Sequence, residues 1–152
     1  AGEEPARYVE RLAFDKAHAI DHGDALVIAA DTTVVLDSEI LGKPVDRDGA
    51  RRMLGRLAGR THTVLTGVAV RHRDATVSAV VESAVTLASM DSDTIDWYVA
   101  TGEPDDKAGA YGLQGIGTMF VERIDGSPSN VIGLPLGTVL ALARDLGVEL
   151  LS

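Results

Sequence analysis

Apolar positions along this chain recur with two different periods, and the places where one gives way to the other outline a fold. From Pro5 to about Asp21, Val9, Leu12, Ala13, Ala17 and Ile20 follow helical spacing, with Pro5 suited to a first turn and Gly23 to a stop. Lys16 is four residues from both Leu12 and Ile20, which places it on or beside the apolar stripe. Residues 25–36, ALVIAADTTVVL, are almost continuously apolar or β-branched, as expected of a strand covered on both faces. Asp46 is placed to cap a second helix, with Ala50, Met53, Leu54 and Leu57 inward and Gly59 as its end. Two alternating segments follow. Val64, Val68 and Val70 share a face in 61–72, Val77, Val81, Val85 and Leu87 share one in 76–88, and the short link His72-Arg73-Asp74 predicts a hairpin. A short helix over 92–101 carries Ile95, Tyr98 and Val99 and is stopped by Gly102 and Pro104. Then come a Gly-rich loop (105–117), a strand (118–124), a turn at Asp125-Gly126-Ser127-Pro128, and a last helix from near Pro135 to Gly147. This order predicts an α/β fold with a mixed sheet.

Composition narrows the function more than the fold. At 152 residues the chain is expected to form a single domain, 1–152, with one core. A formal net charge of -9 argues against nucleic acid or anionic membrane as a partner, since both require basic surfaces, yet it leaves room for a small basic pocket for a phosphorylated ligand. The chain has no cysteine, which removes disulfides, thiol catalysis and thiolate metal sites. No apolar run approaches the roughly 20 residues of a membrane span. With no signal-peptide pattern either, the expected location is cytoplasmic.

Polar residues that interrupt the apolar segments are the candidates for chemistry. Asp31 stands inside a strand pattern, where desolvating a carboxylate is costly. It reads either as a strand-end acid bonded to a loop, or as a general base or metal ligand at the carboxyl end of a strand. Thr32 and Thr33 offer hydroxyls to a ligand or to the next strand. Lys43, between Gly42 and Pro44, sits on a stiff turn from which an ammonium can reach a phosphate, although a single lysine is usually just exposed. Lys16 has the same two readings, the second being a stem on the core with its head in water. The loop DDKAGAYGLQGIG can turn several backbone N–H groups toward one anion, or it can be a plain wide turn. Lys107 adds charge to it, and Gln114 adds a donor and an acceptor able to read a base edge. Glu82 reads as outward-facing. His18, His22, His62 and His72 lack metal-ligand spacing, His18 and His22 reading as a solvated face, and no Gly-x-Ser-x-Gly elbow is present.

The blocks AADTTVVLDSEILGKP, LAGRTHTVLTGV and YVATGEPDDKAGAYGLQGIGTMFVERIDGSPSNVIGLPL, in this order, resemble the Maf family of nucleoside triphosphate pyrophosphatases. The resemblance implies an ITPase-like α/β fold with a long bent mixed sheet flanked by helices. It also implies hydrolysis of dTTP, UTP and related modified nucleotides to the monophosphate and pyrophosphate, with Mg²⁺ or Mn²⁺ as the divalent cofactor. Asp31 would then be the proton acceptor or a metal ligand, and Lys16, Lys43 and Lys107 would line the phosphate pocket. Thr32 and Gln114 fall where the family sets base preference, and both match the dTTP/UTP branch. The family's opening strand and Ser-x-Ser-Pro-Arg-Arg loop, and the acidic metal-site residue after them, have no counterpart here. Glu3 and Glu4 stand too close to the first helix to be that acid, and omission of a segment is the expected reason. The resemblance further implies a homodimer. A competing expectation is a nucleotide-binding regulator of septum formation and cell division that does no chemistry.

Overall fold

The computed structural model describes residues 2–21 and 23–151. Its elements run α1 (Pro5–His18), β1 (Leu26–Leu36), β2 (Glu39–Leu41), α2 (Arg47–Leu57), β3 (Thr61–His72), β4 (Ala75–Leu87), α3 (Ser92–Ala100), β5 (Val121–Asp125), α4 (Pro128–Ile132) and α5 (Leu136–Asp145). Short 3₁₀ turns at Glu103–Asp106, Ala108–Ala110 and Ile116–Phe120 fill the segment before β5. The strands form one sheet in the order β2-β1-β3-β4-β5. The architecture is α/β, an open sheet flanked by helices, as the sequence pattern predicts. The pairing differs from the expected mixed sheet, because every described pair of strands is antiparallel. Tight hairpins account for much of this. Asp37 and Ser38, with φ of 52° and 67°, turn β1 into β2, and Arg73, at φ 54°, helps turn β3 into β4.

Helices cover both faces. On one, Ala13 and Ala17 of α1 pack on Val27 of β1 and Ala69 of β3. The approach is close because β3 carries Gly67 there, and a Cβ at that position would run into the backbone of Val9 and Glu10. On the other face, α2 and α3 bury Leu54, Leu57, Tyr98 and Val99 against Val34, Val64, Val85 and Leu87. Farther along that face, Val139 and Leu142 of α5 pack on Val68 and Val70. Asp46 caps α2 as expected, its carboxylate accepting the Gly49 N–H at 2.6 Å. Asp91 does the same for α3, accepting from Thr94 at 2.8 Å.

Several boundaries move. The first helix ends at His18 rather than near Asp21, with the Ala19 N–H turning back to the Asp15 and Lys16 carbonyls. Ala17 is its last buried residue, and Ile20, expected on the apolar stripe, is 56% exposed. β1 is covered on both faces only toward its end, where β2 and α2 meet it; Ile28 is 40% exposed. The strand expected over 118–124 begins only at Val121, since Ile116–Phe120 curls into a 3₁₀ turn. The turn expected at 125–128 leads into α4, whose Ser127 cap accepts the Asn130 N–H at 3.3 Å.

Candidate active site

β2 pairs with β1 only over Val34–Leu36, so among the described residues the earlier part of that edge of β1 meets no strand. A cleft of about 540 Å³ opens along it. Asp31, Lys16, Thr32, Lys43, Lys107 and Gln114, singled out from four separate stretches of sequence, all line it.

Each is placed by its element. Asp31 lies near the middle of β1, opposite Gly67, and not at the carboxyl end of the strand where the sequence reading put it. Interruption of the edge, rather than the end of the strand, is what exposes it to the cleft. α1 crosses at Gly67 and brings Lys16 alongside, so that its ammonium donates to Asp31 Oδ1 at 2.7 Å and to the Ala30 carbonyl at 3.1 Å. The Lys16 head is therefore bonded to the sheet edge as well as wetted. An ammonium has three N–H donors, and these contacts leave one for a ligand. The Asp31 side chain is 18% exposed, and among the described residues its Oδ2 has no hydrogen-bond partner.

Thr32 points to the opposite face of the strand. Its hydroxyl meets the Thr66 hydroxyl at 2.9 Å and the Gly133 carbonyl at 3.5 Å, and Thr66 donates onward to the Asn130 carbonyl at 3.2 Å. The turn after α4 is thereby tied to the cleft wall. Lys43 is exposed on its turn, with no hydrogen bond among the described residues. Lys107 donates to Asp106 at 2.7 Å. That ammonium, with the Lys43 charge close by, holds the Asp106 carboxyl below the usual carboxylate range. Gln114 is exposed and has no hydrogen bond among the described residues.

Two features of the site escaped the sequence reading. Tyr111 lines the cleft, and behind it His62, 3% exposed, shares a 2.7 Å hydrogen bond with its hydroxyl. Burial holds the imidazole pKa down to about 4 and pushes the Tyr111 phenol up. An alternating strand pattern gives no hint that a histidine faces inward next to a tyrosine 49 positions away. Asp106, next to Lys107 in DDKAG, is the other: among the charged residues of that loop, only Lys107 stands out in the sequence. Glu82 faces outward and His18 is exposed, stacked on Phe14 at 4.2 Å, both as the sequence suggests. His22 lies outside the described residues. No group of three or more His, Cys, Asp or Glu side chains among the described residues is arranged to hold a metal by itself. No helix of the described residues is long and apolar enough to cross a membrane.

Comparison with known proteins places the chain among relatives of one family. The family model for Maf-like proteins covers residues 1–146. A dTTP/UTP pyrophosphatase of Anaeromyxobacter dehalogenans (strain 2CP-1) is 54% identical over 153 residues, covering 98% of this chain and 78% of the relative. The dTTP/UTP pyrophosphatase of Myxococcus xanthus is 50% identical, covering 99% of this chain and 77% of its own. That of Symbiobacterium thermophilum is 47% identical, with 99% and 78% covered. On the family match along nearly its whole length, and on relatives about half identical to it, the chain belongs to the Maf family.

Proposed function

We propose that this chain is a nucleoside triphosphate pyrophosphatase that acts on dTTP and UTP and releases pyrophosphate from the nucleoside monophosphate. The observation that carries the proposal is convergence. One acid, three lysines and a base-reading amide, borne by α1, β1, the turn after β2 and the Gly-rich loop, line a single cleft. Relatives about 50% identical to the chain carry the name dTTP/UTP pyrophosphatase.

The chain's residues divide the work by position. Asp31 takes the proton of the attacking water, and Lys16, donating to Asp31 at 2.7 Å, holds that carboxylate in place. Lys43 and Lys107 grip the phosphate chain as point charges from the far wall, so that attack and departure lie in line. Thr32 and Gln114 meet the base. A divalent cation fits this set. Mg²⁺ is commonly held by one or two carboxylates together with substrate phosphates, and Asp31, with Oδ2 unpartnered among the described residues, is the side chain that would hold it in the alternative where it serves as metal ligand instead of base. Once bound, Mg²⁺ or Mn²⁺ would neutralise charge on the phosphate oxygens. We further take the protein to act in the cytoplasm, where its substrates are, and to do so as a homodimer.

The test is pyrophosphate release across a panel of nucleoside triphosphates with Mg²⁺ or Mn²⁺, repeated with Asp31→Asn. Turnover of dTTP and UTP above purine nucleotides is expected. Asp31→Asn is expected to lose a factor on the order of 10² to 10⁴ in kcat, the usual worth of a general base. Full turnover in Asp31→Asn would remove the proposed base. Binding of nucleotide without release of pyrophosphate would favour the regulatory reading instead.

A further inference from the structure

The Gly-rich loop presents backbone N–H groups to an anion, as its sequence suggests it could, but the anion is one of the protein's own. Glu103 Oε1 accepts the Gly117 N–H at 2.7 Å and the Tyr98 hydroxyl at 2.8 Å, and Oε2 accepts the Ile116 N–H at 2.8 Å. A single carboxylate thus joins the two ends of the loop, thirteen and fourteen residues apart, and fastens both to α3. The glycines make this closure possible. Gly115 has φ of 141°, and a Cβ there would lie 2.6 Å from Glu103 Oε2. A Cβ at Gly117 would meet the Tyr98 hydroxyl and the Gly112 carbonyl. Gly112 in turn makes room for the Lys107 stem, whose Cδ and Cε would stand 2.6 Å from a Cβ at that position. Burial works to raise the Glu103 pKa, but the Gly117 and Ile116 N–H groups and the Tyr98 hydroxyl hold it below the usual range, so the clamp stays ionised.

Between the clamped ends lie Lys107 and Gln114, both of which line the cleft, whereas Glu103 does not. Gln114 makes no side-chain hydrogen bond among the described residues. Its orientation rests on the backbone two residues before the clamped Ile116 amide. We propose that Glu103 is a positioning residue for base selection, holding the loop closed so that the Gln114 amide is aimed at the base. This rests on the pyrophosphatase reading and adds to it a residue that never touches substrate. The distinguishing consequence is selectivity. Of the phosphate-binding groups only Lys107 lies in the clamped loop, while Asp31, Lys16 and Lys43 stand on other elements, so opening the clamp should cost the base end of the site more than the phosphate end.

The experiment compares kcat/KM for dTTP, UTP and CTP in the wild type, Glu103→Gln, Gln114→Ala and the double variant. In Glu103→Gln the preference for dTTP over CTP is expected to fall about tenfold, mainly through KM, because an amide group can accept only part of what the carboxylate accepts. Since Glu103 acts through Gln114, the double variant should be no less selective than Gln114→Ala alone. Hydrogen exchange in the wild type supplies a second measurement independent of any variant's folding, with slow exchange expected at the Ile116 and Gly117 amides. Unchanged selectivity in Glu103→Gln, equal loss on all three nucleotides, fully additive losses in the double variant, or fast exchange at both amides would each overturn the proposal. A wild type that turns over no nucleoside triphosphate would instead overturn the pyrophosphatase reading, and base selection with it.

Discussion

His62 shows how one side chain can make this protein acid-sensitive without a role in chemistry. Its folded pKa is about 4, held there by burial, against an unfolded value near 6.5. The unfolded chain therefore binds a proton that the folded chain refuses, and stability must fall as pH drops from about 6.5 to about 4. By pH 4 the loss from this group is about 3 kcal/mol. Thermal unfolding of wild type and His62→Gln across that range should show a steeper decline in the wild type, and parallel curves would remove His62 as the cause. Site residues were legible to different degrees. Asp31 stood out because a carboxylate inside a β-branched run is expensive, and Lys43 because of its Gly-Pro neighbours. The bond from Lys16 to Asp31 was hidden, since it joins a helix to a strand and no local period reports on the crossing. Glu103 was hidden too, because its partners are backbone amides, which the sequence does not display.

At the scale of elements, α1 and β3 meet backbone to side-chain-free backbone at Gly67. Gly67→Ala must lift α1 from the sheet, with an expected cost of about 3 kcal/mol, the upper end for overpacking. Because α1 carries Lys16 to Asp31, the same substitution should lower turnover in whatever fraction still folds. Denaturant titration paired with pyrophosphate release checks both, and a variant as stable and as active as wild type would mean the helix has room to spare. Long periodic elements were legible: β3 spans the expected 61–72, and α2 begins after its expected Asp46 cap. Short ones were not. The three-residue β2 and the five-residue α4 are too brief for a period to emerge, and their conformations are set by positive-φ turn residues and a Ser cap. Thr118–Phe120, expected to begin a strand, instead continue a 3₁₀ turn whose first amides, Ile116 and Gly117, are held by Glu103, a contact from outside the segment.

At the scale of the molecule, net charge and site charge have opposite signs. A chain of formal charge -9 gathers Lys16, Lys43 and Lys107 around one cleft. Long-range repulsion discourages polyanions such as nucleic acid, while short-range contacts remain able to hold a compact phosphate chain. The α/β class was legible from the alternation of periods along the chain. Strand direction was legible only for β3 and β4, where the short link at 72–74 predicts the antiparallel hairpin that forms; elsewhere period 2 is the same in both directions and only the turns decide it.

The stretch of β1 that no strand pairs among the described residues has a colloidal consequence besides opening the cleft. Backbone donors and acceptors along a strand rim can pair with another chain, and apolar Ile28, 40% exposed, sits in that stretch without a charge of its own. At high concentration these 152 residues on their own should therefore self-associate by strand addition along this rim. Ile28→Lys should suppress that association, read as lower light scattering at matched concentration; scattering equal to wild type would place the sticky surface elsewhere.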